Sequence, residues 1–177
     1  TDFADWEARG AKGWNWDGVL PYFKKIERDL DFNNEWHGQE GHIPVRRIMP
    51  QDWSGLGKAA AEAFAAQGFE YIEDQNGEFR DGYFPITISN ANDQRVSAAI
   101  GYLNAEVRKR PNLTLSTLTS MTELLFEGRR CIGVKALVEG KPQEFRGRAI
   151  ILSSGAVHSP AHLLRAVIGP EGHLREM

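Results

Sequence analysis

The sequence predicts an α+β fold, and three observations carry that expectation. Apolar residues recur at helical spacing in three segments before residue 110. Beyond residue 111 the pattern changes to short strand-like runs separated by glycine-containing turns. Those turns, Glu127-Gly128-Arg129 and Glu139-Gly140-Lys141, are too short to join anything but antiparallel neighbours, so the runs form a β-meander.

Asp17 stands where it can cap a helix running to about Arg28, with Val19, Leu20, Phe23 and Ile26 as its apolar stripe. Pro21 then falls in the first turn, where a missing N–H is tolerated. Trp6, Trp14 and Trp16 precede this helix in a glycine-punctuated stretch, and aromatics at that density are expected to be buried. Residues 29–42 read as a polar loop, with Trp36-His37-Gly38 and Gly41-His42 marking it, and Ile43-Pro44-Val45 as a short extended segment. A second helix is expected from about Leu56 to Gln67, stopped by Gly68. Phe79 to Ser89 reads as extended, because Phe84, Ile86 and Ile88 alternate. A third helix is expected from about Ser97 to Lys109, with Pro111 just beyond its end.

Leu113–Ser116, Met121–Phe126, Ile132–Val138 and Gln143–Leu152 read as strands. The last ends in Ala149-Ile150-Ile151-Leu152, apolar without alternation, the pattern of a strand buried on both faces in a parallel sheet. Such a strand needs neighbours and covering helices, so a larger sheet cut through its middle is inferred. The chain begins at Thr1 rather than Met and stops in a helix-compatible run, and it reads as a piece excised from a longer protein.

Composition narrows the function classes. Of 177 residues, 41% are hydrophobic and 25% charged, the profile of a globular protein. A net charge of -3 leaves no basic excess to neutralise phosphates, so nucleic acid is not an expected partner. The single cysteine, Cys131, excludes an internal disulfide and a cysteine-based zinc site, and its apolar neighbours read as core. No apolar run approaches the length of a transmembrane helix, and a cytoplasmic location is expected.

Three stretches offer chemistry. Ser153-Ser154-Gly155-Ala156-Val157-His158-Ser159-Pro160 follows the apolar run and opens a helix. Small residues there would let a ligand approach the backbone beside a helix N-terminus; equally, the stretch is a tight turn with Ser159 as N-cap and Pro160 at the first helical position. Gly55-Leu56-Gly57-Lys58-Ala59-Ala60 matches a dinucleotide-binding pattern, but no strand precedes it, and it reads as a decoy. His158 and His162 could share a helix face, but no third ligand stands at matching spacing, and His37 and His42 read as surface or capping histidines; no metal site is expected.

Taken in order, several segments resemble the glucose–methanol–choline (GMC) family of FAD-dependent oxidoreductases. They are Asp5-Trp6 with Gly13-Trp14-Asn15-Trp16-Asp17 and Val19-Leu20-Pro21-Tyr22-Phe23; Trp36-His37-Gly38 with Gly41-His42-Ile43-Pro44-Val45; and Gln94-Arg95-Val96-Ser97-Ala98-Ala99 with Tyr102-Leu103. They continue in Arg110-Pro111-Asn112-Leu113-Thr114 with Gly133-Val134, and in Gly155-Ala156-Val157-His158-Ser159-Pro160 through Ile168-Gly169-Pro170. The chain departs from the family pattern at Ala166-Val167 and at His162.

The resemblance implies a fragment cut from a Rossmann-like FAD domain and an antiparallel-sheet substrate domain. Residues 1–42 would be helix and loops associated with the FAD domain. Residues 43–110 would belong to the substrate domain, and 111–177 would return to the FAD domain as meander, buried strand and helix. It implies a parent enzyme that oxidises a choline-like or other primary alcohol by hydride transfer to flavin. The phosphate-binding glycine turn and the catalytic histidine would lie outside this chain, leaving the chain itself inactive and without FAD. Met121 falls where the family contacts the FAD adenine through its backbone, and Ser154, Gly155 and Ala156 where the chain passes the adenosine part. The small-molecule alcohol is then the parent's partner, and the isolated chain is expected to self-associate through its cut sheet. A non-enzymatic β-rich interaction module would explain the meander but not the ordered motifs.

Overall fold

A computed structural model describes residues 2–176, which fall into two compact units, Thr1–Leu113 and Thr114–Met177. The α+β expectation holds for both.

The first unit opens with α1 (Asp2–Ala8) and α2 (Trp16–Ile26). Asn15, not Asp17, caps α2: its side-chain oxygen accepts from the Gly18 N–H at 2.8 Å. Asn15 is fixed in turn by Glu7, whose carboxylate accepts from Asn15 Nδ2 at 2.9 Å and from the Gly13 N–H at 3.1 Å. The helix therefore starts one residue before Asp17, and Pro21 sits inside it. It ends at Ile26 rather than Arg28, because the next residues form β1 (Glu27–Asp29). This strand pairs in parallel with β2 (Ile43–Arg47), Glu27 opposite Ile43 and Asp29 opposite Val45. Parallel pairing needs a connection of a dozen or more residues, and the polar loop of residues 30–42 supplies it.

A 3₁₀ turn (Pro50–Asp52) leads into α3 (Gly55–Ala66), capped by the Ser54 hydroxyl and followed by Gly68 at φ +88°. The dinucleotide-like glycines thus lie inside the first turns of a helix with no strand before it, as the decoy reading requires. Of the extended segment expected over Phe79–Ser89, only β3 (Thr87–Ile88) is a strand, antiparallel to β2 through Arg46 and Arg47; Tyr83 makes an isolated bridge to Tyr71. A small hairpin, β4 (Asn90–Ala91) and β5 (Gln94–Arg95), turns through Asn92 and Asp93, both at positive φ. The single helix expected from Ser97 to Lys109 is two: α4 (Ala98–Tyr102), capped by Ser97, and α5 (Ala105–Arg108), capped by Asn104. The Asn104 side chain takes the N–H groups of Glu106 and Val107, which restarts the helix instead of continuing it.

The second unit is the expected meander: β6 (Thr119–Glu127), β7 (Arg130–Val138) and β8 (Lys141–Arg146), antiparallel in that order. Gly128 opens the first turn at φ +58°, and Glu139-Gly140 form the second with both φ positive. Leu113–Ser116 is not a strand, and the last strand stops at Arg146. Ala149–Leu152 does not form a strand, and Ile151 is 86% exposed. A strand exists only where a neighbour accepts its hydrogen bonds, and no described residue pairs with this run. After it come α6 (Gly155–Arg165) and α7 (Glu171–Glu176). Helix α6 begins four residues before Ser159, so Pro160 is an interior residue and Ser159 is not the N-cap.

The tryptophan expectation needs correction too. Trp6 and Trp14 are about half exposed, although they contact each other with ring centroids 6.1 Å apart. The boundary expected between residues 42 and 43 falls inside the first unit, between two strands that pair with one another.

Candidate functional site

The four residues that the sequence offers for a cofactor all lie in the second unit, where α6 packs against β6. Met121 sits on β6 opposite Ala136, at the edge of a register shift between Met121 and Glu123. A bulge of this kind breaks the ladder and leaves backbone groups unpaired. Thr122, the extra residue, turns its hydroxyl to the Lys135 carbonyl at 3.1 Å. Ser154, Gly155 and Ala156 are exposed at the start of α6. Gly155 has φ +83°, and a Cβ there would meet nothing within 4 Å, so its conformation and not crowding calls for glycine.

No side chain caps α6 at Ser154; instead Ser159 Oγ accepts from the Ser154 N–H at 2.9 Å. The first N–H groups of a helix have no intrahelical acceptor. An exposed, uncapped helix start beside a left-handed glycine is a place where an acceptor group of a ligand can bind the backbone.

The first unit holds a buried ionic network that sequence reading missed. His37, expected at the surface, is 3% exposed. Its Nε2 lies 2.7 Å from Asp74 Oδ2, and its Nδ1 lies 3.0 Å from Asp29 Oδ2 and 3.3 Å from Glu27 Oε1. The Arg47 guanidinium, 2% exposed as a residue, donates through Nη1 to both oxygens of Asp29 at 2.8 Å and through Nη2 to Asp74 Oδ1 at 3.2 Å. It also stands 4.4 Å over the Phe32 ring, a cation–π contact. Backbone donors complete the carboxylates: Asp31 and Phe32 N–H to Asp29, Gly38 N–H to Glu27, and Asn76 N–H to Asp74. Ligand atoms of Glu27, Asp29 and His37 come within 4.8 Å of one another, but Arg47 and the backbone already serve the carboxylates, so the group is an ion network.

Burial would depress the His37 pKa, but hydrogen bonds to Asp74 and Glu27, with the charges of Asp74 and Asp29, outweigh it and raise the ring above its ordinary 6.5. Burial would raise Asp74, but the bonds from His37 and the Asn76 N–H, with the charges of His37 and Arg47, hold it below its ordinary 3.8. A lowered acid contributes stability that is present above its unfolded value and lost as pH falls through its folded value. The first unit is therefore expected to weaken in acid below about pH 3.8. Asp74→Asn should flatten that acid limb in urea titrations; an unchanged acid limb would show that Asp74 is not its source.

With the fold and these sites described, the class of protein is defined. The chain belongs to the GMC oxidoreductase family, whose model matches residues 1–175, and whose members depend on FAD. It is 45% identical to 5-(hydroxymethyl)furfural oxidase of Methylovorus sp. (strain MP688), over 99% of this chain and 33% of that protein. It is 38% identical to an oxygen-dependent choline dehydrogenase of Pseudomonas putida (strain GB-1), over 99% of this chain and 32% of that one. The crystal structure of pyridoxine 4-oxidase from Mesorbium loti superposes with a TM-score of 0.84 at 31% identity, covering 98% of this chain and 35% of that chain. The chain thus spans about a third of the length of the relatives it matches. Family membership accounts for the ordered motifs that an interaction module leaves unexplained.

Proposed function

We propose that this chain is one segment of an FAD-dependent enzyme that oxidises a primary alcohol. The observation that carries the reading is the match of residues 1–175 to one oxidoreductase family. The named substrates of the relatives, 5-(hydroxymethyl)furfural, choline and pyridoxine, each bear a primary alcohol, and the reading extends that class to this protein. Bound FAD would supply the hydride acceptor. Within this chain, the bulge at Met121 and the start of α6 at Ser154, Gly155 and Ala156 would hold the adenosine part through backbone groups. The general base would come from residues beyond these 177. His158 and His173 are exposed on helices, and His37 is committed to its carboxylates.

Surface area supports the need for further polypeptide. The chain exposes 13473 Å² at 19.9 kDa. A self-contained chain of that mass exposes about 8,700 Å², and two separate domains of these sizes about 10,400 Å². Exposed Trp14, Tyr22, Phe79 and Ile151 contribute to the surplus.

A longer protein containing this sequence is expected to purify with one FAD per chain and to reduce it with a primary alcohol, read by flavin absorbance. A flavin-free longer protein would overturn the proposal. The 177 residues alone are expected to carry no flavin and to self-associate, with scattering mass rising with concentration. A stable monomer over a hundredfold concentration range would show that these apolar surfaces need no cover.

A further inference from the structure

We propose that His37 is a charged pin that locks the 30–42 connection between β1 and β2, and that raising the pH withdraws it. Geometry carries the argument. Both ring nitrogens face carboxylate oxygens: Nε2 hydrogen-bonds Asp74 Oδ2 at 2.7 Å, and Nδ1 hydrogen-bonds Glu27 Oε1 at 3.3 Å with Asp29 Oδ2 3.0 Å away. An ionised carboxylate only accepts, so both contacts are hydrogen bonds only when both nitrogens carry protons. The neutral ring would turn one lone pair toward a buried carboxylate.

The charges around the ring come from every element that meets it. Glu27 and Asp29 face it from β1, Asp74 from the 74–78 turn, and Arg47 from β2 binds the same carboxylates, with Asp31 3.7 Å from Arg47. Four acids against one guanidinium leave an excess of negative charge that a second cation must offset, and the imidazolium supplies it in a site where neither His37 nor Arg47 reaches water. The pin holds specific backbone. Gly38 N–H binds Glu27 Oε2 at 2.8 Å, Asp29 N–H binds the Gly38 carbonyl at 2.8 Å, and Gly41 N–H binds the Glu27 carbonyl at 2.8 Å. These bonds fasten onto β1 the part of the connection that follows His37.

A raised histidine contributes stability that is complete below its unfolded value and lost as pH rises through its folded value. Between those two values the local opening constant rises by up to about tenfold per pH unit. The device is thus closed below about pH 6.5 and loosened as the pH rises beyond that.

The test is hydrogen exchange and histidine-ring NMR on the 177-residue chain in metal-free buffer. His37 ring signals should titrate above the ordinary histidine value of 6.5. Protection factors at Asp29, Gly38 and Gly41 should fall by up to about tenfold per pH unit from pH 6.5, while β6–β8 amides keep theirs. His37→Gln should lack the fall and show the open state's low protection at all pH values. Should that variant fail to fold, the wild-type titration alone decides. A His37 ring that titrates at or below 6.5, or protection at Asp29, Gly38 and Gly41 that is independent of pH, would overturn the proposal.

Discussion

Replacing Arg47 by methionine is expected to destabilise the first unit strongly. The substitution keeps an apolar stem of similar length but removes the guanidinium that binds Asp29 and Asp74. Asp29 is fully buried as a side chain, so its charge would face a low-dielectric interior with His37 alone as counter-ion. Removing one partner of a buried pair destabilises by about 3–5 kcal/mol. Whole domains are stable by only about 5–15 kcal/mol, so the change consumes much of the margin. All five tryptophans, at positions 6, 14, 16, 36 and 53, lie in this unit, so their fluorescence reports its unfolding in urea. Arg80→Met is the control in the same unit: its pair with Glu78 lies at the surface with the arginine side chain 42% exposed. That substitution should shift stability by less than about 1 kcal/mol. Equal midpoints for the two variants would show that the buried network adds nothing.

Gly38→Ala is expected to be nearly as damaging. A Cβ at Gly38 would stand 1.9 Å from the Lys24 carbonyl oxygen and 2.7 Å from that of Glu27. Both obstacles are backbone, held by the end of α2 and by β1, so no flexible side chain can yield. Overpacking costs about 1–3 kcal/mol where side chains relax, and the upper end or beyond is expected here. Gly55→Ala is the comparison in the same unit, since its Cβ meets nothing within 4 Å. A tryptophan-reported melting temperature for Gly38→Ala within a degree of the unsubstituted chain would refute the close approach.

The meander was legible because its signals are local. Glycine turns of two residues and flanking apolar runs specify antiparallel neighbours without help from distant chain. Helix α3 was legible for the same reason, through the local stop signal at Gly68, whereas its cap at Ser54 emerged only in the structure. The apolar run Ala149–Leu152 misled because period and composition describe a burial pattern, whereas a strand also needs partners. Asn104 split the third helix because a side-chain acceptor competes with the helical carbonyl, and apolar spacing is blind to that competition.

The buried network was hidden for a different reason. Its members lie at positions 27, 29, 37, 47 and 74, and what joins them is the parallel pairing of β1 with β2, which no turn motif announces. One signal was present. Glu27, Asp29 and Asp31 alternate with Arg28 and Leu30, the period of a strand with one acidic face, followed by a histidine and an arginine that could serve it. Of the candidate cofactor contacts, the small residues at 154–156 pointed to an open backbone, but the bulge at Met121 follows from two strands whose registers disagree by one residue.

The β6–β7–β8 sheet also fixes an order of events during synthesis. Each of its strands pairs with the next one along the chain, through turns of two residues. Closing such hairpins takes about 1–10 μs, whereas a ribosome adds about 5–20 residues per second. The meander can therefore form as soon as Arg146 leaves the exit tunnel, before α6 has emerged behind it. It would present β6 as a finished platform for the helix that follows. The β1–β2 pair has no such privilege, because β1 waits on the ribosome for all of residues 30–42 before its partner exists.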